Sequence, residues 1–221
     1  MNDTASTTRP APPATLAPPA PLAPSTTLIR PAAPDAQSTL SAATTPEFVG
    51  AIVLVLRELH AMVNAITDEV YTSPSSPQFM RATIGGHLRH SVDHLAALAD
   101  GVTAGVVSYD RRARGTAIES DRAAAANEIA RLIDAITALA PADPALPLTI
   151  EVMATRAGAF QIVTSTLARE LAFVLSHTVH HQATLRGIVV ASGVTLPAHF
   201  GYANATIVHK HPQKEPGICV R

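Results

Sequence analysis

The chain has 221 residues, a formal net charge of −1 and a pI near 6.8, so no excess of either sign draws it to nucleic acid or to an anionic bilayer. A single cysteine, Cys219, excludes an intramolecular disulfide and a cysteine-based zinc site, which fits a reducing, cytoplasmic compartment. Residues are 47% hydrophobic but only 4% aromatic, so the core is mainly Ala, Val, Leu and Ile, a composition that suits closely packed helices.

Residues 1–45 are built from Ala, Pro, Thr and Ser, and with Pro46 they hold more than half of the chain's 18 prolines. Proline removes backbone donors, and too little large apolar surface is present to offset the entropy of ordering, so this stretch reads as a disordered tail. It lacks the apolar run of a secretory signal, and Arg9 and Arg30 make only a feeble transit peptide. The remainder, residues 46–208 followed by a mobile C-terminal tail at 209–221, has the size of one domain.

The first helix is predicted from Thr45 as N-cap, with Pro46 at the first helical position and Glu47 at the positive end of the dipole. Phe48, Ile52, Val55, Leu59, Met62, Ile66 and Val70 form one apolar stripe that carries it to about Tyr71, before the prolines at 74 and 77. The apolar run 48–56 is too short for a membrane span and is followed by Arg57, Glu58 and His60.

A second helix is predicted from about Gln78 to Ala99 or Asp100. Gly85 and Gly86 each cost about 1 kcal/mol of propensity relative to Ala, so they call for a close neighbouring backbone or for room around a ligand. His87, His90 and His94 follow at spacings of three and four, on one stripe; one or two of them can point into a common site. Residues 106–115 have no helical period and read as a loop. Its arginines are either solvated or paired to Asp110 and Glu119, or else placed to bind an anion at a pocket mouth.

A third helix is expected with Ser120 as N-cap and Ile129, Leu132, Ile133, Ile136 and Leu139 as its buried face, stopped by Pro141 and Pro144. Residues 148–152 alternate as a strand does, and 159–164 are β-branched-rich, so the two are predicted to pair as a small hairpin through Arg156-Ala157-Gly158. The fourth helix, 166–190, rests on Leu167, Leu171, Val174, Leu185 and Val189 at three- and four-residue spacing, and Gly193 marks its end. An irregular segment through His199 and Tyr202 is expected to fold back over the helices.

On the fourth helix His177 and His181 stand one turn apart, so both imidazoles project from one face, the geometry of a two-histidine metal clamp. The earlier cluster of His87, His90 and His94 can supply the third ligand a catalytic metal normally takes from protein. Three imidazoles suit zinc, nickel or iron and leave a coordination position open. His180, turned by about 100° from His181, sits at the helix edge, and His60, His199, His209 and His211 have no convergent spacing. Glu170 beside Arg169 is read as a structural ion pair, with a hydrogen bond to a ligand histidine as the alternative. There is no nucleophile elbow, P-loop, dinucleotide fingerprint or His-Glu-x-x-His. Cys219 is an incidental thiol.

The order of Ile84-Gly85-Gly86-His87-Leu88-Arg89-His90, a long connection and Ser176-His177-Thr178-Val179-His180-His181 resembles the DinB-like (DinB/YfiT) metalloenzyme superfamily, which is unrelated to the DNA polymerase sharing the name. The resemblance covers about 48–207, including Tyr109-Asp110-Arg111-Arg112 and His199-Phe200-Gly201-Tyr202-Ala203. It implies an all-α four-helix bundle of DinB/YfiT type, here with the small β-hairpin between helices three and four. It also implies a divalent metal held by His177, His181 and one histidine of helix two, selecting His90 ahead of His87, with His94 next and His180 outside the triad. Thiol-dependent S-transferases and a thiol-dependent maleylpyruvate isomerase among such proteins imply a metal-dependent enzyme of S-transferase or hydrolase type, with a small-molecule substrate and a thiol cofactor. The rival reading is a non-catalytic metal-binding structural or stress-response bundle, and Ala-rich helices make a homodimer a further expectation.

Overall fold

The computed structural model describes residues 44–75, 81–111 and 113–210. Residues 1–43 of the tail expected at 1–45, the predicted helix start at Gln78, His211 and the last residues of the chain lie outside them. The described residues are mostly helical, with four long helices and a small three-stranded sheet.

Helix α1, Thr45–Ala65, starts one residue earlier than predicted, with Thr44 as N-cap and Pro46 in its first turn. It ends at Ile66 rather than running to Tyr71. Thr67 turns extended and its side chain accepts the Val70 N–H, which starts a separate short helix α2, Asp68–Thr72, with Asp68 and Glu69 in its first turn. By length and composition α1 could cross a membrane. Its Ile52, Leu56, Leu59 and Val63 are instead fully buried in the core, each such side chain contributing about 1.5–3 kcal/mol.

Helix α3, Ile84–Ala104, begins where Thr83 accepts the Gly86 N–H and ends at Gly105 in the left-handed region, so it lies several residues C-terminal to the predicted span. A Cβ on Gly85 would run into the backbone carbonyl of Glu119 and into the Tyr71 ring. The glycine is there for the close backbone approach that its helix-propensity cost called for.

Residues 106–108, expected as loop, form strand β1, Val106–Ser108, paired in parallel with β2, Pro147–Met153. β2 pairs antiparallel with β3, Phe160–Thr166, so the predicted hairpin is present and the sheet order is β1-β2-β3. Among the nearby charges Arg114 is exposed, as one of the two expectations has it, but the expected pairing to Asp110 and Glu119 is not made by Arg111. Arg111 bonds Glu151, Asp110 accepts the Met153 N–H, and Glu119 takes Arg89.

After a 3-10 turn, Ala117–Glu119, helix α4, Arg122–Thr137, is capped by Asp121 rather than Ser120. The Asp121 carboxylate accepts from two backbone N–H groups of the first turn. Helix α5, Leu167–Ala191, capped by Thr166, matches the predicted span closely. α1 packs on α4 and α5, and α3 packs on the same two helices. The returning segment buries Phe200 and is held by Arg186, which donates to the carbonyls of Pro197, Ala198 and Phe200. His209 and Lys210, both expected in a mobile tail, end a short helix α6, Asn204–Lys210.

Candidate metal centre

The candidate site lies between α3 and α5. The buried stripe of α5, with Leu171, Val174, Leu185 and Val189, fixes the rotation of that helix. Thr178 bonds back to the Val174 carbonyl, and Gln182 donates to Val55 O and to Glu58 of α1, both at 3.2 Å. Locked this way, α5 presents His177 and His181 to α3. On α3 the burial of Leu88, Val92 and Leu95 turns His90 to meet them.

One ligand nitrogen each from His90, His177 and His181 lies within 4.8 Å of the other two, and all three side chains are half-buried. The ring centroids are 5.1 Å apart for His90 and His177, 4.6 Å for His90 and His181, and 4.5 Å for His177 and His181. Nitrogens bound at about 2.1 Å to one tetrahedral ion stand about 3.4 Å apart, so small side-chain rotations bring the set to bonding distance. Three imidazoles with no thiolate or carboxylate among them fit zinc, nickel or iron.

The other α3 histidines divide. His94, 6% exposed, stacks on His177 with centroids 3.9 Å apart, and its Nδ1 lies 2.9 Å from the His90 carbonyl. A carbonyl only accepts, so Nδ1 carries the proton. His87 lies 6.3 Å from His181 between centroids, its Nε2 is buried without a hydrogen-bond partner, and burial lowers its pKa from the usual value. His180 is exposed on the other side of α5, His60 bonds Asn64, and His199 lies against Tyr202.

A polar support adjoins the histidines. Glu170, fully buried, accepts from Tyr109 at 2.7 Å, from Ser165 and from Arg169 at 2.8 Å. Arg169 is therefore the ion-pair partner expected of it, while Tyr109, part of an expected loop and of a stretch that carries the family resemblance, has no role assigned by the sequence. The Tyr109 ring stacks on His94 with planes 12° apart. Burial first, then the hydrogen bond and charge of Glu170, push the Tyr109 hydroxyl well above its usual pKa, so it stays a neutral donor. Strand alternation placed no signal on Tyr109; only the β1–β2 pairing brings it over Glu170.

A cavity of about 410 Å³ opens beside this cluster, lined among others by His94, Tyr109, Glu151, Val163, Arg169 and Phe173. A second cavity of about 450 Å³ lies on the opposite side of α5, lined mostly by apolar residues such as Phe48, Leu175 and Val179, with His180 at its edge. The first adjoins the histidine cluster, because His94 lines it and stacks on His177.

A mostly helical chain carrying three convergent histidines on two of its helices defines a candidate metal-binding protein. The family comparison places it more narrowly: the model of the DinB superfamily matches residues 51–185, more than half of the chain, and the chain belongs to that superfamily. It is also 32% identical over 106 residues to FK506-binding protein 5 of Rhizopus delemar, a match covering 47% of this chain and 27% of that protein. The chain thus spans well under two thirds of that relative's length.

Proposed function

We propose that this protein is a metal-dependent enzyme that uses His90, His177 and His181 to hold a divalent cation and acts on a small molecule, with thiol S-transfer or hydrolysis as the reaction type. The observation that supports this reading is the convergence of three imidazole nitrogens from α3 and α5 within 4.8 Å, beside a cavity large enough for a small ligand. A bound divalent cation with an open position would stabilise a thiolate or hydroxide near neutral pH. His94 and Tyr109 form a stacked wall between cluster and cavity, and Glu170 anchors the far end of that wall. Arg169, over the Phe173 ring at 5.3 Å, offers a cation at the cavity rim. The partial match to the Rhizopus protein adds no activity to this proposal.

The competing reading is a structural metal site with a fourth protein ligand. His87 favours it, because its buried Nε2 lacks a hydrogen-bond partner and its ring lies near that of His181.

The test is metal content by elemental analysis on protein purified without a histidine tag, for wild type beside His177→Ala, His181→Ala, His90→Ala and His87→Ala. Near-stoichiometric metal that is lost in the first three variants and retained in His87→Ala supports the triad and justifies screening thiol transfer and hydrolysis. Loss in all four favours the structural reading. A folded wild type that carries no metal and takes up neither zinc nor nickel overturns the proposal.

A further inference from the structure

Two glycines precede His87, and the close approach of a neighbouring backbone accounts for the first of them alone. A Cβ on Gly85 would strike the Glu119 carbonyl, whereas one on Gly86 would meet only the Thr83 hydroxyl, at 3.3 Å, beyond its own helix backbone and chain neighbours. Gly86 stands one turn before His90 on α3 and shares its helix face. The side chain it lacks therefore leaves space beside a metal-site histidine.

The neighbours of the triad are unevenly placed. On one side His94 stacks on His177, and Phe173 lies 5.8 Å from the same ring between centroids. On the other side His181 has His87 as a neighbour, one turn of α3 before His90. His94 Nδ1 is held by the His90 carbonyl, but His87 Nε2 is buried with no hydrogen-bond partner. Burying a polar atom without a partner is costly, so this nitrogen calls for one.

Distance separates two ways of satisfying it. A nitrogen that binds a cation lies about 2.1 Å from it, and one that hydrogen-bonds to another ligand of the same cation lies roughly 4 Å away. The His87 and His181 rings are 6.3 Å apart, farther than any two rings of the triad, whose separations reach 5.1 Å. Nor does His87 belong to the group of nitrogens that lie within 4.8 Å of one another. Both observations place it one hydrogen bond outside the triad.

We propose that His87 contacts the small anionic ligand that takes the open coordination position, donating a hydrogen bond from Nε2 to it, while the cation stays with His90, His177 and His181. This rests on the three-histidine reading above and adds a residue that recognises what the cation binds. A neutral imidazole carries one N–H, and an anion calls for a donor, so Nε2 holds the proton. The space beside Gly86 and His90 admits the ligand on this side of the cluster.

The test uses the full chain loaded with cobalt(II), whose visible absorption reports a change of ligand, with azide as the anionic probe and imidazole as the neutral one. Wild type, His87→Phe and His87→Gln should hold cobalt at the same stoichiometry. Azide should bind His87→Phe about 10- to 100-fold more weakly than wild type, the range for a hydrogen bond to a charged group. His87→Gln, which keeps an N–H donor, should recover most of that loss, and imidazole affinity should stay nearly unchanged in both variants. Cobalt that is retained by wild type and lost from both variants makes His87 a ligand and overturns the proposal. Equal azide affinity in wild type and His87→Phe overturns it too, as does an equal loss for azide and imidazole. A wild type that takes up no cobalt overturns the three-histidine reading itself, which sets that failure apart from the others.

Discussion

His94 is stacked on His177 at 3.9 Å between ring centroids, with their planes 30° apart, although the two residues come from different helices and are 83 positions apart in the chain. The contact has a direction, because His94 is itself fixed by the His90 carbonyl on one side and by the Tyr109 ring on the other. His94 therefore sets the plane of the His177 ring without being one of the three convergent donors. Replacing it with Ala should leave metal stoichiometry intact while weakening affinity about 10- to 100-fold, the usual effect of removing a group that orients a ligand. Competition against a chelator of known zinc affinity reads this directly. Loss of all metal would instead make His94 a ligand.

Tyr109 and Glu170 transmit that support to the sheet. Tyr109→Phe removes a hydrogen bond to a buried carboxylate and should cost about 2 kcal/mol in urea denaturation. Glu170→Ala should cost more, about 3–5 kcal/mol, since it leaves Tyr109, Ser165 and Arg169 without their common acceptor. Equal effects of the two substitutions would mean that the tyrosine bond carries the whole network.

How far the sequence reveals this arrangement depends on the range of the contacts. α5 and its His177 and His181 pair are legible because a single helical period fixes both the burial of Leu171 and Val174 and the direction of the histidines. The break between α1 and α2 is hidden by the same logic: Ile66 is buried on the stripe that continues toward Val70, and only the Thr67 side chain marks the new start. β1 is too short to show a period and exists through its pairing with residues 149–151. Tyr109 gains its role from Glu170, 61 positions away, which no local pattern could encode. The choice of His90 over His87 depends on the distance from α3 to α5, a tertiary quantity.

Gly85 and Gly50 offer a matched pair of opposite sign. An Ala at Gly85 would push its Cβ into the Glu119 carbonyl and to within 2.8 Å of the Tyr71 ring, neither of which is the free end of a flexible chain. That substitution should cost about 1–3 kcal/mol despite the gain in helix propensity. Gly50 is exposed in α1, and nothing lies within 4 Å of where a Cβ would stand, so Gly50→Ala should stabilise by about 1 kcal/mol. Thermal melts of the two variants beside wild type should move in opposite directions. Destabilisation by Gly50→Ala would point to a contact made by residues outside the described set.

Two tyrosines couple the fold to alkaline pH. Burial, assisted by the charge of Asp121, raises the Tyr71 pKa well above its usual value near 10, and Tyr109 is raised by burial and by Glu170. Below about pH 10 both hydroxyls are protonated in the folded and unfolded chain alike, and their contribution to stability is fully present. Above it the unfolded chain gives up these protons first, so the folded state binds more protons and stability falls as pH rises toward the folded-state values. Urea denaturation at about pH 8 and about pH 11 should show that decline, with a contribution of about 1.4 kcal/mol per pH unit for each tyrosine. Tyr71→Phe combined with Tyr109→Phe should be less stable at the lower pH, where the Ile118 and Glu170 acceptors lose their donors, yet flatter between the two. An unchanged slope in the double variant would assign the alkaline decline to other groups.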